Sequence, residues 1–199
     1  GSSSLLSEND ISKESIKDSD YLLIEGYLVT SDTTLNVGIA AINIAHENNT
    51  KTVITLSDPN IVSYFRDNMM KLFDKKSYII FCNEQEALNF SQANNLKDAE
   101  KFLKELTDMY IITLGSKGAI CFDGINDHKI TGHQVESKDF TGAGDMFLGA
   151  FMHKYTDTNI LESMKFANYC ASKIIQIYGA KFNDSNDYQE LQTKFKSLT

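Results

Sequence analysis

Short apolar runs alternate along the chain with longer segments in which apolar residues recur every three or four positions. The runs are strand-sized, rich in isoleucine, tyrosine and phenylalanine, and end in or beside residues that favour loops. They span residues 21–26, 52–58, 78–84, 110–116 and 118–124, and a run at 128–135 predicts a final strand. The helical segments lie at about 35–48, 60–73, 84–92, 96–107, 143–156, 159–178 and 186–197.

Continuous apolar strands separated by helices predict a parallel sheet that is covered on both faces. The fold class is therefore α/β. No internal repeat is present, and Pro59 is the only proline, so no proline-rich linker marks a second domain. We predict a single α/β domain over residues 1–199.

Composition and charge narrow the kind of partner. The chain has 199 residues, is 42% hydrophobic and carries a formal net charge of −8, which argues against nucleic acid or an anionic membrane as a partner. No apolar run approaches the roughly 20 residues that a membrane span needs. Cys82, Cys121 and Cys170 are widely spaced within apolar stretches, which is typical of buried thiols. We predict a soluble, cytoplasmic protein that acts on a small molecule.

Small and charged residues meet at one junction that suits an anion. In open α/β sheets, ligands bind beyond the carboxyl ends of the strands. The stretch "TGAGD" (141–145) leads into the predicted helix at 143–156. Its glycines let the main chain approach a ligand, and the unpaired N–H groups at a helix start favour an oxyanion or phosphate. Alternatively, Asp145 is only a first-turn carboxylate that the helix dipole stabilises.

A longer pattern around this junction resembles a known family. "DFTGAGD" (139–145), followed by "MFLGAFM", resembles the second signature of the PfkB carbohydrate kinases, the ribokinase and adenosine kinase superfamily. "NEQE" (83–86) is similar to the Asn-x-x-Glu motif of that family, and "TLGSKG" (113–118) to its nucleotide loop. "LIEGY" (23–27) and "TLSDP" (55–59) resemble segments of its adenosine-kinase-like branch.

The resemblance implies a ribokinase-like three-layer α/β/α fold and an ATP-dependent kinase that phosphorylates a hydroxyl of a sugar or nucleoside. It implies Asp145 as the general base and Gly142, Ala143 and Gly144 as an anion hole of main-chain N–H groups. Phe140 departs from the signature, which usually has threonine there, and a bulky apolar residue suits that loop if it packs inward.

The resemblance also implies sites for cations. Asn83 and Glu86, three residues apart, would orient Mg²⁺ through its waters against the nucleotide phosphates. Read alone, the same residues are a helix start with asparagine as the cap and glutamate on the dipole. Asp139 matches a position that helps hold a monovalent cation such as K⁺, although an aspartate at a strand end also simply stabilises its loop.

The same resemblance implies further nucleotide contacts. Thr113, Gly115, Lys117 and Gly118 belong to the implied nucleotide loop, and the same stretch reads equally as a hairpin connection. Asn168 belongs to a late helix that resembles the one bordering adenine. The remaining candidates are assigned ordinary roles: His46, His128, His133 and His153 as surface or capping residues, and Arg66 as an exposed helix residue.

Parts of the family pattern have no counterpart in this chain. We find neither the glycine-glycine substrate motif nor the β lid, so we expect the chain to be the C-terminal, nucleotide-binding and catalytic portion of a kinase. Alone it should have little activity, and an uncovered sheet edge should promote self-association, for which a homodimer is the candidate assembly. The alternative function is a noncatalytic fragment that acts as a structural or nucleotide-binding module. A dehydrogenase is disfavoured because no Gly-x-Gly-x-x-Gly follows an early strand.

Overall fold

The computed structural model describes residues 6–155 and 160–197. The strands of this part are β1 (Tyr21–Glu25), β2 (Lys51–Thr55), β3 (Ser77–Asn83), β4 (Thr107–Thr113), β5 (Ala119–Phe122) and β6 (Asp127–Ile130). The α-helices are α1 (Lys13–Lys17), α2 (Asp32–Glu47), α3 (Pro59–Tyr64), α4 (Arg66–Lys71), α5 (Glu84–Ser91), α6 (Leu96–Leu106), α7 (Ala143–Lys154), α8 (Ile160–Ile174) and α9 (Ser185–Lys196). Short 3₁₀ helices span Glu8–Asp10, Gly26–Thr30 and Gly115–Lys117.

The six strands form one sheet in the order β1-β2-β3-β4-β5-β6. β1 pairs with β2 and β2 with β3, both in parallel, and the register places Val53 of β2 between Leu23 of β1 and Ile79 of β3. The predicted α/β class with a mostly parallel sheet is confirmed. β1 is an edge strand of this sheet, and Leu23 on it is 45% exposed. Self-association of the chain stays a prediction.

Several predicted boundaries differ from the structure. The helix expected over 60–73 is two helices, because Phe65 leaves the helical conformation at φ −118° and ψ 29°. The strand expected over 128–135 is only β6, and the chain continues without regular structure from Thr131. The expected helix ends near 156 and 159 fall outside the described residues.

Side-chain caps explain where most of the helices begin. Ser31, Asp58, Asn83, Asn95 and Asp184 each accept a hydrogen bond from a main-chain N–H in the first turn of the helix that follows. Such caps satisfy N–H groups that have no acceptor within the helix. These polar residues therefore act as the start signals of their helices.

The chain divides into two compact units. The first comprises the residues up to Ile112 together with Phe122–Asn126, and the second comprises Thr113–Cys121 and the residues from Asp127 onward. The three cysteines are free and buried, as predicted. None of the helices in the described ranges has the length and apolarity that crossing a bilayer requires.

Each unit has its own apolar packing. In the first unit, residues from the strands and the surrounding helices are fully buried, among them Ile54, Leu56, Ile79 and Phe90. In the second unit, α8 and α9 share a cluster formed by Phe166, Tyr169, Cys170, Leu191 and Phe195. The Phe166 and Phe195 rings meet edge to face at 5.2 Å between centroids. This cluster positions α8, which carries part of the site described below.

Gly26 is required at the carboxyl end of β1. A Cβ atom there would lie 2.7 Å from the Leu56 carbonyl oxygen and 2.8 Å from that of Thr55. We predict that Gly26→Ala lowers the free energy of unfolding by about 1–3 kcal/mol, since crowding a packed core strains its neighbours. Urea unfolding measures the change.

The matched control is Gly149→Ala, because Gly149 lies within α7 and a Cβ there meets no atom within 4 Å. We expect this variant to be unchanged or more stable by up to about 1 kcal/mol, the helix preference of alanine over glycine. Equal stability of Gly26→Ala and the wild type would contradict the close main-chain approach at Gly26.

Candidate functional site

The turn that follows β4 packs main chain against main chain. Gly118 has φ +102°, and a Cβ on it would overlap the carbonyl oxygen of Ile130. A Cβ on Gly132 would likewise overlap the carbonyl oxygen of Ser116. The turn is closed by the Leu114 N–H, which donates to the Gly118 carbonyl at 2.8 Å. Glycine at both positions therefore lets the segment after β6 lie directly against this turn.

At the start of α7, the three predicted anion-hole residues have different surroundings. Gly142 is the N-cap in the left-handed region at φ +78°, and a Cβ there would lie 2.7 Å from the Ala180 carbonyl oxygen. The Ala143 N–H donates to the Phe140 carbonyl oxygen at 3.2 Å. Gly144 faces open space. Gly142 therefore shapes the turn, while the N–H groups of Gly144 and Asp145 lack acceptors within the helix because they belong to its first turn.

A cavity of about 220 Å³ lies within the second unit. It brings together six of the residues that the motifs singled out: Thr113, Gly115, Gly118, Ala143, Gly144 and Asn168. We call this cavity the glycine pocket, since its predicted residues come from the two glycine-containing turns and from α8. The nucleotide loop and the anion-hole segment, which are far apart in sequence, thus meet at one cavity.

Three predicted residues lie elsewhere in the second unit. Asp145 is exposed and lines a separate cavity of about 470 Å³ formed by α7, α8 and α9. Lys117 is exposed on the turn and is not part of the wall of the glycine pocket. Gly142 lies behind the start of α7, against Ala180. Consecutive residues, Gly144 and Asp145, therefore face two different cavities.

Two aromatic residues of the glycine pocket correct expectations from the sequence. Phe140 does not pack inward: it is 71% exposed and forms part of the pocket wall. His133 is exposed, as a surface histidine should be, but it also lines the pocket and contacts the Tyr169 ring at 5.9 Å between centroids.

Of the residues at α8 that line the glycine pocket, only Asn168 was predicted from the sequence. Ala171, Ser172 and Ile175 follow Asn168 at helical spacing and line the same pocket. The i, i+3, i+4, i+7 pattern is a usable signal for one helix face. The same pattern describes any buried helix, so by itself it does not distinguish a ligand wall from ordinary core.

Asp139 stabilises the loop before α7. Its Oδ1 accepts from the N–H of Thr141 at 2.9 Å and from the Thr141 hydroxyl at 2.7 Å, and its Oδ2 accepts from the N–H of Gly179 at 2.9 Å. The bonds from Gly179 and then Thr141 hold the pKa of this carboxyl below its usual value. The loop-stabilising role is thus present in the structure, and any cation at Asp139 is an additional proposal.

Asn83 and Glu86 form a reciprocal cap in the first unit, at the end of β3. Glu86 accepts from the Asn83 N–H at 2.9 Å and from its side-chain amide at 2.6 Å, while Asn83 Oδ1 accepts from the Glu86 N–H at 2.9 Å. Burial raises the pKa of Glu86 to about 7, with a smaller contribution from the negative charge of Asp58. The helix-cap interpretation is therefore realised. In the described part of the chain, no group of three or more His, Cys, Asp or Glu side chains is arranged to hold a metal ion.

The sequence is similar to those of known proteins. Residues 2–187 match the family model described as pfkB family carbohydrate kinase. A ribokinase from Dictyostelium discoideum is 27% identical over 206 residues, covering 94% of this chain and 63% of that protein. A ribokinase from Lactococcus lactis subsp. lactis is 36% identical over 100 residues, covering 50% of this chain and 33% of that protein.

Solved structures show the same fold. An adenosine kinase from Sinorhizobium meliloti superposes with a TM-score of 0.87 at 25% identity, over 98% of this chain and 59% of that one. A putative ribokinase II from E. coli, in complex with ATP and Mg²⁺, superposes with a TM-score of 0.83 at 21% identity, over 98% and 64%. The ribokinase-like three-layer fold is confirmed. The chain spans less than two thirds of the length of each of these four relatives.

The buried carboxyl of Glu86 predicts a pH dependence of stability. Because its pKa is raised from 4.5 to about 7 on folding, the folded state holds this proton more tightly than the unfolded state. The contribution of Glu86 to stability is therefore greatest below pH 4.5 and is lost as the pH rises to about 7, by up to roughly 3 kcal/mol at about 1.4 kcal/mol per unit.

Urea unfolding of the wild type and Glu86→Gln between pH 4.5 and 8 tests this expectation. Glutamine keeps the reciprocal cap without titrating. The stability difference between the two proteins should change in favour of Glu86→Gln as the pH rises, whereas parallel curves would show that Glu86 is not held protonated by burial.

Gly142 and Gly144 provide a matched pair of variants. Gly142→Ala should lower the free energy of unfolding by about 1–3 kcal/mol, because alanine is strained at positive φ and would meet Ala180. Gly144→Ala should leave stability unchanged or raise it by up to about 1 kcal/mol, since the position is helical and open. Thermal unfolding of both variants measures the contrast, and equal losses would contradict the division of roles.

Proposed function

Because the chain belongs to the PfkB family of carbohydrate kinases, we propose that it carries the nucleotide site and the general base of an enzyme that transfers a phosphoryl group from ATP to a hydroxyl of a sugar or nucleoside. The solved relative with bound ATP and Mg²⁺ supports the choice of phosphate donor. Ribokinases and adenosine kinases among the relatives support the two acceptor classes.

The start of α7 is the observation that carries this proposal. Gly144 lines the glycine pocket, and the next residue, Asp145, lines the neighbouring cavity. A phosphate held at Gly144 would therefore lie within one helical turn of a carboxylate that faces a second space. This arrangement matches the need of phosphoryl transfer for a donor phosphate on one side and an acceptor hydroxyl on the other.

Each residue at this helix start has a chemical task. The N–H groups of Gly144 and Asp145 and the positive end of the helix dipole stabilise negative charge on the transferred phosphoryl group. The Asp145 carboxylate accepts the proton of the attacking hydroxyl as general base. Gly142 holds the turn in its left-handed conformation, and Ala143 closes it with its hydrogen bond to Phe140.

The nucleoside part of ATP is assigned to the remainder of the glycine pocket. Thr113, Gly115 and Gly118 lie on the turn after β4, and Asn168 lies on α8. Gly115 faces open space, so the main chain at this point is accessible to a ligand. Lys117, exposed on the same turn, is the candidate for an additional phosphate contact.

Mg²⁺ would neutralise phosphate charge when bound with ATP. Mg²⁺ usually keeps several of its waters and binds partly through the phosphates of the substrate. Asn83 and Glu86 are proposed to orient those waters, and the Asp58 carboxylate adds negative charge near Glu86. For K⁺, Asp139 is the candidate, with both of its oxygens already oriented by Thr141 and Gly179.

A noncatalytic nucleotide-binding module is the second candidate for the 199-residue chain by itself. The glycine pocket, to which the nucleotide is assigned, is lined by residues of the second unit. Acceptor positioning supplies much of the rate in such reactions. We therefore propose that the isolated chain binds nucleotide and turns over sugars or nucleosides slowly or not at all.

Asp145→Asn tests the general base. The substitution should lower kcat for phosphoryl transfer by about 100-fold or more, because an amide cannot accept the proton. Affinity for nucleotide and melting temperature should stay within error, since asparagine is nearly isosteric.

Asp32→Asn is the matched control, because Asp32 is an exposed first-turn carboxylate of α2, outside the proposed site. We expect kcat of this variant to equal that of the wild type. Normal turnover of Asp145→Asn would show that Asp145 is only a helix-start carboxylate and would overturn the assignment of the base.

A further inference from the structure

Phe140 presents an aromatic ring to solvent at the wall of the glycine pocket. The residue is 71% exposed and lines this pocket together with Ala143 and Gly144. It is not among the residues that line the second cavity beside Asp145. The ring therefore belongs to the side of the helix start that we assign to the phosphate donor. The signature that the chain resembles usually has threonine at this position, so an aromatic ring here is particular to this chain.

The loop that carries this ring is held on both sides of Phe140. The N–H groups of Lys138 and Asp139 donate to the Ile175 carbonyl oxygen at 2.7 and 3.3 Å. The Phe140 carbonyl oxygen accepts from the Ala143 N–H at 3.2 Å. The main chain is thus fixed by hydrogen bonds while the ring stays in water. A ring on a fixed main chain has only its two side-chain torsions left to lose when a ligand covers it, which lowers the entropy cost of binding.

We propose that the Phe140 ring stacks on the base of the nucleotide that donates the phosphoryl group. This inference rests on the proposed function, because it concerns the donor that the same pocket binds. The ring is a positioning contact and takes no part in the chemistry. It adds affinity for the nucleotide without recognising which purine the nucleotide carries.

The chemistry of an aromatic face selects the base among the parts of a nucleotide. The face of a phenyl ring carries partial negative charge, so it does not attract phosphate oxygens. A purine is flat and apolar on its faces, and stacking removes both rings from water. Every base has such a face, which makes stacking on an aromatic side chain tolerant of the base identity. The contact should therefore contribute equally to the binding of ATP and GTP.

Calorimetry on the 199-residue chain tests the contact with three probes. The probes are the Mg²⁺ complexes of ATP and GTP, and inorganic tripolyphosphate, which has no base. Phe140→Thr restores the residue that the signature usually has. It should weaken the binding of ATP and of GTP by about five- to tenfold each, the lower part of the range for a base on an aromatic side chain. Its affinity for tripolyphosphate should be unchanged, and Phe140→Tyr, which keeps a ring, should bind all three probes as the wild type does.

Tyr178→Thr is the matched control, because Tyr178 is an 81% exposed aromatic residue of the same unit that does not line the glycine pocket. Its affinities should equal those of the wild type. Melting temperatures of both threonine variants should stay close to the wild type, since both side chains are exposed. Wild-type affinity of Phe140→Thr for ATP would overturn the proposal. An equal loss of affinity for tripolyphosphate would overturn it too, because the ring would then act on the phosphate end.

Fluorescence locates the base directly, because the chain contains no tryptophan. Phe140→Trp places a single indole at the proposed contact, and Tyr178→Trp places one outside the pocket. Saturating ATP or GTP should quench the emission of Phe140→Trp, since a stacked purine quenches indole, whereas tripolyphosphate should leave it unchanged. The emission of Tyr178→Trp should respond to none of the three probes. Emission of Phe140→Trp that is the same with and without bound ATP would overturn the stacking.

Failure of the proposed function gives a different result in the same experiments. If neither ATP nor tripolyphosphate binds to the wild type, the glycine pocket is not a phosphate-donor site, and both proposals fall together. If both probes bind and the Phe140 variants behave as the wild type does, only the stacking contact falls. A loss that is confined to the nucleotides supports both proposals.

Discussion

The glycine pocket depends on one close approach of main chain to main chain. Gly118 and Gly132 let the turn after β4 and the segment after β6 lie so near that a Cβ on either residue would overlap the opposing carbonyl. Asn168 then holds that segment to α8 through the Thr131 carbonyl. Because all three elements meet at this contact, the pocket wall is made mostly of main chain and short side chains, which leaves room for a ligand.

The helix start at Gly142 places an anion site and a carboxylate next to each other. Gly144 and Asp145 face separate cavities because consecutive residues of a helix point in different directions. A kinase needs both functions within a few ångströms and needs them oriented differently. Gly142, where a Cβ would meet Ala180, and Gly144, where a Cβ would meet nothing within 4 Å, therefore stand two residues apart.

Several buried polar side chains make hydrogen bonds to groups of their own unit. Glu86 is held by Asn83 at the end of β3, and Asn168 and Ser172 donate to main-chain carbonyls. Such bonding orients each side chain before a ligand arrives, which lowers the entropy lost on binding. The raised pKa of Glu86 is a consequence of burying its carboxyl, since burial disfavours the charged form.

Apolar periodicity by itself determined the α/β class, the parallel strands and most of the helices, because those features follow from local spacing and burial. The motifs around Asn83, Thr113 and Asp145 predicted the segments of the candidate site through their resemblance to the PfkB family, since each motif alone also reads as a helix start or a turn. Only the tertiary structure decided that Gly142 is the constrained glycine, that Phe140 is exposed and that Asn168 and Ser172 donate to main-chain carbonyls. The constraint on Gly142 depends on Ala180, and the bond of Asn168 depends on the distant Thr131 carbonyl. Contacts between residues distant in sequence leave no periodic pattern from which they could be predicted.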